Sequence, residues 1–245
     1  MVDQSSFLKL EIMSQPDETT CGPTCLHAVY RFYEDHVPLQ DLIREVHKFE
    51  EGGTLAVWLG CHALSRGYEA ILYTANIQLF DPTWFESRRI NISKKLLAQL
   101  QYKKERKLVR ASHAFLDFLS LGGEVRLEDF TRDLIRRYLV QGYPILTGLS
   151  STYLYRAARE LPDDSVSDDI RGEPEGHFVI LCGYDRETKN VLIADPHEQN
   201  PYSRTKQYEV NIDRVINSIL LGILTHDANF LIIRPSHPRG PGLTY

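Results

Sequence analysis

The sequence predicts an α+β protein in which an N-terminal helical part packs on a C-terminal antiparallel sheet. Apolar residues recur at helical spacing through most of the chain before Gly142, whereas segments with the pattern of strands gather after it. One helical pattern begins abruptly at Cys21, directly after a short polar turn. At 245 residues the chain is expected to form a single domain, 1–245, that is large enough to bury its own core.

The N-terminal part is expected to contain helices with clear start and stop signals. Thr20 supplies a hydroxyl suited to an N-cap ahead of Cys21, and Pro23 falls in the first turn, where its missing N–H costs little. Thr54 is the expected N-cap of a later helix, and Gly67 its end. The predicted elements are a strand at 7–13, helices at 21–35, 39–49 and 55–65, a strand at 69–74, and helices at 111–121 and 127–141.

A basic stretch separates the two halves of this helical part. The apolar residues within it repeat at helical spacing, so the segment from about 80 to 125 is expected to be a helical insertion. The basic side chains form either a solvated helix face or a site for an acidic partner or substrate. They are Arg88, Arg89, Lys94, Lys95, Lys103, Lys104, Arg106, Lys107 and Arg110.

The C-terminal part is expected to supply the sheet. The predicted elements are strands at 143–149, 177–184, 191–194, 207–210 and 229–234, a hairpin turn at 185–190, and one helix at 212–224. Residues 150–175, between the first two strands, are irregular and acidic. A loop of this length in a compact domain is usually functional or disordered. We therefore expect a flexible acidic loop, and the sequence leaves open whether it is a lid over a site or plain disorder.

Composition excludes several classes of protein. Hydrophobic residues make up 42% of the chain and charged residues 25%, as in ordinary globular proteins. The net charge of −5 gives no reason to expect a nucleic-acid partner. No stretch has the roughly 18 apolar residues of a membrane span, and the first residues lack the pattern of a signal peptide. The four cysteines form no CxxC pair and suit a reducing compartment, so we expect a cytoplasmic protein without a membrane partner.

Cys21 is the best candidate for a nucleophile. A thiol becomes reactive when a helix N-terminus and a nearby imidazolium stabilise its thiolate, and Cys21 meets the first condition. Gly22 is expected to leave room for a substrate beside the backbone. One alternative is a buried structural cysteine. Another is a metal pair with Cys25, completed by His27 or His197, although this spacing is not that of the common zinc sites.

A base and an orienting carboxylate occur far along the chain. His177 begins an apolar strand and Asp195 ends the next one, so a hairpin would bring the two side chains together. Asp195 would then hold the imidazole in its working tautomer. Gln15, six residues before Cys21, is a candidate donor to an oxyanion. The simpler interpretations are a core histidine at His177 and a plain turn at Asp195-Pro196.

These motifs resemble the papain-like cysteine peptidases of the double-glycine (bacteriocin-processing) leader peptidase family, and in particular its stand-alone soluble relatives. The matching segments are Gln15 with Cys21-Gly-Pro-Thr, then Gly-His177-Phe-Val-Ile-Leu-Cys-Gly-Tyr, then Ala-Asp195-Pro. The resemblance implies a papain-like fold whose nucleophile helix packs on the sheet. It also implies a Cys-His-Asp triad with Gln15 in the oxyanion hole. It does not imply which bond is cut.

The expected function is therefore a cysteine-dependent hydrolase, a peptidase or amidase that forms an acyl-thioester on Cys21. The expected substrate is a peptide or small amide, and an acidic one would suit the basic stretch. No cofactor and no metal are expected. An acyltransferase would use the same thioester, and a binding module would keep the triad idle. The sequence leaves these alternatives open, together with the oligomeric state.

Overall fold

The computed structural model describes residues 5–50, 52–162, 166–225 and 228–236. Within these ranges eight strands form one mixed sheet, which confirms the predicted α+β class. The strands are β1 (Ser6–Phe7), β2 (Tyr68–Thr74), β3 (Glu124–Arg126), β4 (Ile145–Ser150), β5 (Gly176–Asp185), β6 (Asn190–Ala194), β7 (Gln207–Asn211) and β8 (Asn229–Pro235).

Eight α-helices accompany the sheet in the described ranges. They are α1 (Cys21–Phe32), α2 (Leu39–Glu45), α3 (Ala56–Ser65), α4 (Ile92–Gln99), α5 (Arg106–Ser120), α6 (Arg132–Val140), α7 (Ser151–Tyr155) and α8 (Ile212–Leu221). Short 3-10 helices occupy Pro82–Phe85 and Gly222–Thr225. None of the described helices combines the length and the hydrophobicity needed to span a bilayer.

The strand order is β3-β2-β8-β4-β5-β6-β7, with β1 pairing to β5 outside this path. The β2–β3 pair is parallel and the other described pairs are antiparallel. In the β5–β6 hairpin, Ile180 lies opposite Ala194 and Leu181 opposite Ile193. The start of β5 and the end of β6 therefore lie side by side at the same end of their strands, as the predicted hairpin requires.

Side-chain alternation along β5 separates two hydrophobic cores. Phe178, Ile180 and Cys182 belong to the core that contains α1 and α3, whereas Val179 and Leu181 belong to the core that contains α6 and α8. Because helices cover both faces, the strand is apolar along almost its whole length. The packing of α1 on this sheet agrees with the prediction, but the covering of the second face by α6 and α8 was not predicted.

One predicted strand, one predicted helix and one predicted N-cap near the N-terminus differ from the structure. The strand predicted at 7–13 is reduced to Ser6–Phe7, and the helix predicted to reach residue 49 ends at Glu45. The chain beyond Glu45 turns back on itself, because the Phe49 N–H donates to the Gly53 carbonyl at 3.0 Å. Thr54 does not cap α3. Its hydroxyl instead donates to a carbonyl within the preceding loop.

The segment from 80 to 125 contributes to both the core and the sheet. Phe115 and Phe118 of α5 are buried in the first core, and a Cβ added to Gly60 of α3 would lie 2.6 Å from the Phe118 ring. Its last residues form β3, a strand that was not predicted, and the helix predicted at 127–141 begins only at Arg132. Of the nine basic residues, all but Arg110 are exposed. The limits of the insertion stay a prediction.

The acidic stretch 150–175 has defined hydrogen bonds in its described parts. It begins with the short helix α7, and the Ser151 N–H donates to the Glu175 carbonyl at 3.0 Å. Farther along, Glu160 pairs with Ser167 and with Glu173. Residues 163–165 lie outside the described residues. A lid role for this stretch stays a prediction.

Candidate active site

Cys21 is the first residue of α1 and is 8% exposed. Thr20 occupies the N-cap position as predicted, but its side chain makes no cap bond. The Thr20 hydroxyl instead donates to the Asp17 carbonyl at 3.0 Å. The first-turn N–H groups are therefore not occupied by a side-chain cap, and the positive end of the helix dipole remains directed at the thiol.

The loop before Cys21 is held by its own side chains. The Asp17 carboxylate accepts hydrogen bonds from the N–H and the hydroxyl of Thr19, both at 2.8 Å. The Gln15 N–H donates to the Pro196 carbonyl at 3.0 Å. This last bond ties the loop that leads into the nucleophile helix to the chain directly after Asp195.

His177 lies at the start of β5, where the side chain can reach the helix end. Its Nε2 is 2.8 Å from Oδ1 of Asp195, which leaves Nδ1 for the thiol. Burial alone would lower the pKa of His177. Hydrogen bonds with Asp195 and Cys21, together with the charges of both groups, outweigh burial and raise the pKa to about 10. The imidazole is therefore stabilised as an imidazolium beside the Cys21 sulfur.

Asp195 is completely buried and receives four hydrogen bonds. Oδ1 accepts from His177 Nε2 and from the His197 N–H at 2.9 Å. Oδ2 accepts from the hydroxyls of Tyr155 and Tyr208, each at 2.6 Å. Burial raises the pKa of Asp195, but the hydrogen bonds and charge of His177 and the two hydroxyls outweigh it, so the pKa lies below its usual value. Asp195 is therefore ionised and can pair with the protonated imidazole of His177.

Gln15 lies on the same loop as the nucleophile. Its Nε2 donates to the Asp17 carbonyl at 3.0 Å. An amide nitrogen carries two N–H groups, so one donor remains for a substrate oxygen. Gln15 Oε1 is buried and has no hydrogen-bond partner among the described residues.

The close packing at Gly22 differs from the expectation that it leaves room for substrate. A Cβ added there would lie 2.5 Å from Cγ2 of Thr54 and 3.4 Å from the Phe178 ring. The glycine is needed because the loop before α3 presses against the first turn of α1. It therefore fixes the position of the helix end that carries Cys21.

The residues of the proposed metal alternative do not converge. The Cys25 thiol is fully buried and donates to the Phe178 carbonyl at 3.3 Å, and burial raises its pKa well above the usual thiol value. Burial and the charge of Arg31 lower the pKa of His27. Across the described part of the chain, no group of three or more His, Cys, Asp or Glu side chains is placed to hold a metal ion.

His197 lies beside the candidate site. Its ring centroid is 6.0 Å from that of His177 and 6.3 Å from that of Tyr155, on which it stacks. The chain turns here because the His197 N–H bonds back to Asp195. His197 therefore lines the site without contacting the carboxylate through its ring nitrogens.

Sequence reasoning missed Tyr155 and Tyr208. Tyr155 closes α7 in the stretch that was predicted to be irregular, so no periodic pattern marked it. Tyr208 lies in β7, where Tyr208 and Val210 alternate with exposed Glu209 and fit a half-buried strand. That alternation marks Tyr208 as inward-facing, and a buried tyrosine hydroxyl needs a partner. The partner itself could not be identified from the sequence.

Acidic side chains lie beside the site. Burial raises the pKa of Glu175, and the charges of Glu160, Glu173 and Glu18 raise it further. Glu175 precedes His177 by two residues, and Glu18 lies in the loop before the nucleophile. Acidic residues therefore lie in the loop that leads to Cys21 and directly before β5, whereas the basic residues of α4 and α5 belong to other elements.

One family model matches most of the chain, and solved structures of low identity share its fold. A family model described as the Peptidase_C39 like family matches residues 7–215. The solved structure of a C39-like peptidase from Bacillus anthracis aligns with a TM-score of 0.53 at 13% identity, covering 96% of this chain and 100% of that one. Xylellain, a cysteine protease from Xylella fastidiosa, aligns with a TM-score of 0.46 at 14% identity, covering 97% of this chain and 88% of that one. A search of curated proteins gave no match.

Proposed function

Because the chain belongs to the Peptidase_C39 like family and is a cysteine peptidase-like hydrolase with the papain-like fold, we propose that it cleaves a peptide or amide bond through Cys21, His177 and Asp195. The observation that carries the proposal is the chain of contacts from thiol to imidazole to buried carboxylate. His177 Nε2 lies 2.8 Å from Asp195 Oδ1, and Cys21 lies close enough to the same ring to raise the pKa of His177. A nucleophile, a base and an orienting group in this order are what acyl transfer requires.

The reaction begins with a thiolate–imidazolium pair. The Cys21 sulfur attacks the substrate carbonyl carbon, and the carbonyl oxygen takes the negative charge. The C–N bond then breaks as His177 gives its proton to the leaving amine, which leaves an acyl-thioester on Cys21. Water attacks the thioester, His177 accepts a proton from that water, and the carboxylic product leaves as the sulfur is restored. Asp195 keeps the imidazole oriented through both steps.

Alkylation of Cys21 by iodoacetamide tests the resting state of this mechanism without a known substrate. We expect Cys21 to be labelled rapidly at neutral pH, because the helix end and the imidazolium stabilise its thiolate. Labelling is followed by mass spectrometry of the peptide that contains Cys21. The matched control is His177→Ala, in which labelling at neutral pH is expected to slow because the imidazolium is lost. A wild-type labelling rate at neutral pH no higher than that of His177→Ala contradicts the proposal and favours an idle binding module.

Gln15→Ala is expected to reduce kcat by about 10²–10³-fold, because the transition-state oxyanion loses one donor. The KM is expected to change little, since that hydrogen bond strengthens only as charge develops on the oxygen. Steady-state kinetics on a cleaved peptide measure both constants. Gln15→Glu is the matched control: it keeps the size of the side chain but removes the donor, so it should be as slow as Gln15→Ala. A kcat equal to that of the wild type would exclude Gln15 from the oxyanion hole.

We propose a peptide as the substrate class, and its sequence preference stays open. The basic side chains that would favour an acidic peptide lie on α4, on α5 and in the loops next to them, whereas Glu18 and Glu175 lie in the segments that carry Cys21 and His177. The cytoplasmic location expected from the cysteine content also stays a prediction.

A further inference from the structure

The Asp195 carboxylate is saturated with donors. Each of its oxygens accepts two hydrogen bonds, which is the full capacity of an ionised carboxylate. Rotating the group about its Cβ–Cγ bond would break several of these bonds at once. Protonating either oxygen would also displace a donor. The two hydroxyls on Oδ2 therefore limit both the orientation and the protonation of the group that holds His177.

These two hydroxyls come from separate elements. Tyr208 lies in β7, at the edge of the sheet beyond β6, and is 6% exposed. Tyr155 is the last residue of α7, which follows β4. Backbone and side-chain bonds clamp α7 to the start of β5, since Ser151 donates to the Glu175 carbonyl and the Glu175 N–H donates to the Thr152 hydroxyl at 2.8 Å. The distance from Tyr155 to the strand that carries His177 is thereby fixed.

Both hydroxyls keep their protons. Burial raises the pKa of Tyr155 and of Tyr208 above the usual tyrosine value, and the charge of Asp195 raises both further. A tyrosine that stays neutral is a permanent donor to a carboxylate. A hydrogen bond to a charged, desolvated oxygen is also among the stronger ones in proteins.

We propose that Tyr155 and Tyr208 are positioning residues of this active site, which hold Asp195 ionised and oriented so that its Oδ1 fixes the imidazole of His177. They act through Asp195, because their hydroxyls bind its Oδ2 and not the thiol or the imidazole. The inference rests on the function proposed above and adds two residues to it. Without one hydroxyl, Oδ2 is free to accept a proton or to turn, and the imidazolium loses a fixed partner.

Tyr155→Phe and Tyr208→Phe test this proposal, because each removes one hydroxyl and keeps the ring. The readout is the rate of iodoacetamide labelling at Cys21 as a function of pH, which needs no substrate. The acidic part of this profile, its acid limb, reports the protonation of the thiol, the imidazole and the carboxylate, which titrate as one coupled unit. We expect each variant to shift that limb to higher pH by about one unit, which corresponds to about a tenfold change in proton affinity. The double variant is expected to shift it further.

Tyr202→Phe is the matched control. The Tyr202 ring stacks on Tyr208 with centroids 4.8 Å apart, but its hydroxyl donates to the Leu154 carbonyl at 2.7 Å and not to Asp195. Its labelling profile should coincide with that of the wild type. Circular dichroism at each pH checks that every variant is folded, and Tyr155→Phe alone carries the test if Tyr208→Phe is not folded.

Three outcomes decide between the proposals. A shifted acid limb in the tyrosine variants, with an unshifted Tyr202→Phe control, supports the positioning role. An equal loss of reactivity at every pH, or profiles that match the control, overturns it. A purely structural role would not shift the labelling profile along the pH axis. Wild-type labelling at neutral pH that is no faster than labelling of His177→Ala overturns the proposed function and with it this inference.

Discussion

Cys21→Ala is expected to lower the turnover of any peptide substrate by at least about 10⁴-fold and to leave the fold intact. The sulfur supplies the electron pair that forms the thioester, and no other side chain in the contact chain can replace it. In subtilisin, removal of the nucleophile costs about 10⁶ in kcat, which sets the scale. Alanine is a good helix former at the first position of α1, so the unfolding midpoint should change little. Peptide cleavage followed by mass spectrometry, with thermal unfolding by circular dichroism, measures both effects.

Cys25→Ala is the matched control for this experiment. Cys25 lies one helical turn after Cys21 and is fully buried, and its thiol donates to the Phe178 carbonyl. Its removal should lower the unfolding midpoint through lost packing and should leave kcat within a few-fold of the wild type. If Cys21→Ala still cleaves a verified substrate at the wild-type rate, the nucleophile has been assigned to the wrong residue.

The parts of the fold that were predicted well are those whose signal is local. The start of α1 at Cys21 follows from a polar turn, a proline in the first turn and an apolar period, and all three are present in the sequence. Strands β5 and β6 were found because each is a short apolar run beside a turn. His177 lies in β5 and Asp195 directly follows β6, so the hairpin brings these two candidate residues together.

Predictions failed where a tertiary contact decided the local structure. Thr20 and Thr54 both have the residue type of an N-cap, yet each hydroxyl bonds to a carbonyl of the preceding loop. The strand β3 has three residues and exists because β2 offers it an edge, which no pattern in residues 124–126 reveals. Gly22 was assigned to substrate access, whereas Thr54 from a distant loop fills that space.

The candidate site also contains residues that a sequence motif marks and residues that no motif marks. The family resemblance predicted from the motifs around Gln15, Cys21, His177 and Asp195 is confirmed by the match of the Peptidase_C39 like family model. The catalytic roles of these residues stay proposals. The donors to Oδ2 of Asp195 come from elements about 40 and 13 positions away in sequence. Their spacing to Asp195 follows no motif, so only the folded chain identifies them.

Asp195→Asn is expected to reduce kcat by about 10²–10⁴-fold, because the imidazole loses the charge that orients it and stabilises its protonated form. It is also expected to lower the free energy of unfolding by about 3 kcal/mol near pH 6. The buried imidazolium then has no counter-charge, and at least one of its neighbouring donors has no acceptor. Steady-state kinetics and urea denaturation measure the two losses separately.

The pH dependence of the free energy of unfolding gives a second test of Asp195→Asn. In the wild type, His177 binds its proton more tightly when folded, with a pKa of about 10 against 6.5 for the free side chain. The stabilisation is therefore complete below pH 6.5, falls by up to about 1.4 kcal/mol per pH unit above it, and is gone above pH 10. The lowered pKa of Asp195 adds stability above pH 3.8 that is lost as the pH falls further. Asp195→Asn should make the free energy of unfolding depend less on pH in both ranges.

Asp213→Asn is the matched control for these slopes. Asp213 pairs with Arg132 at a site where both side chains are about half exposed, so water and salt screen the pair. Its removal should leave kcat and the alkaline slope of stability unchanged. If Asp195→Asn retains the wild-type slope between pH 6.5 and 10, the protonation of His177 does not depend on Asp195. The carboxylate would then be a structural hydrogen-bond acceptor for the two tyrosines, and the catalytic role would belong to Cys21 and His177 alone.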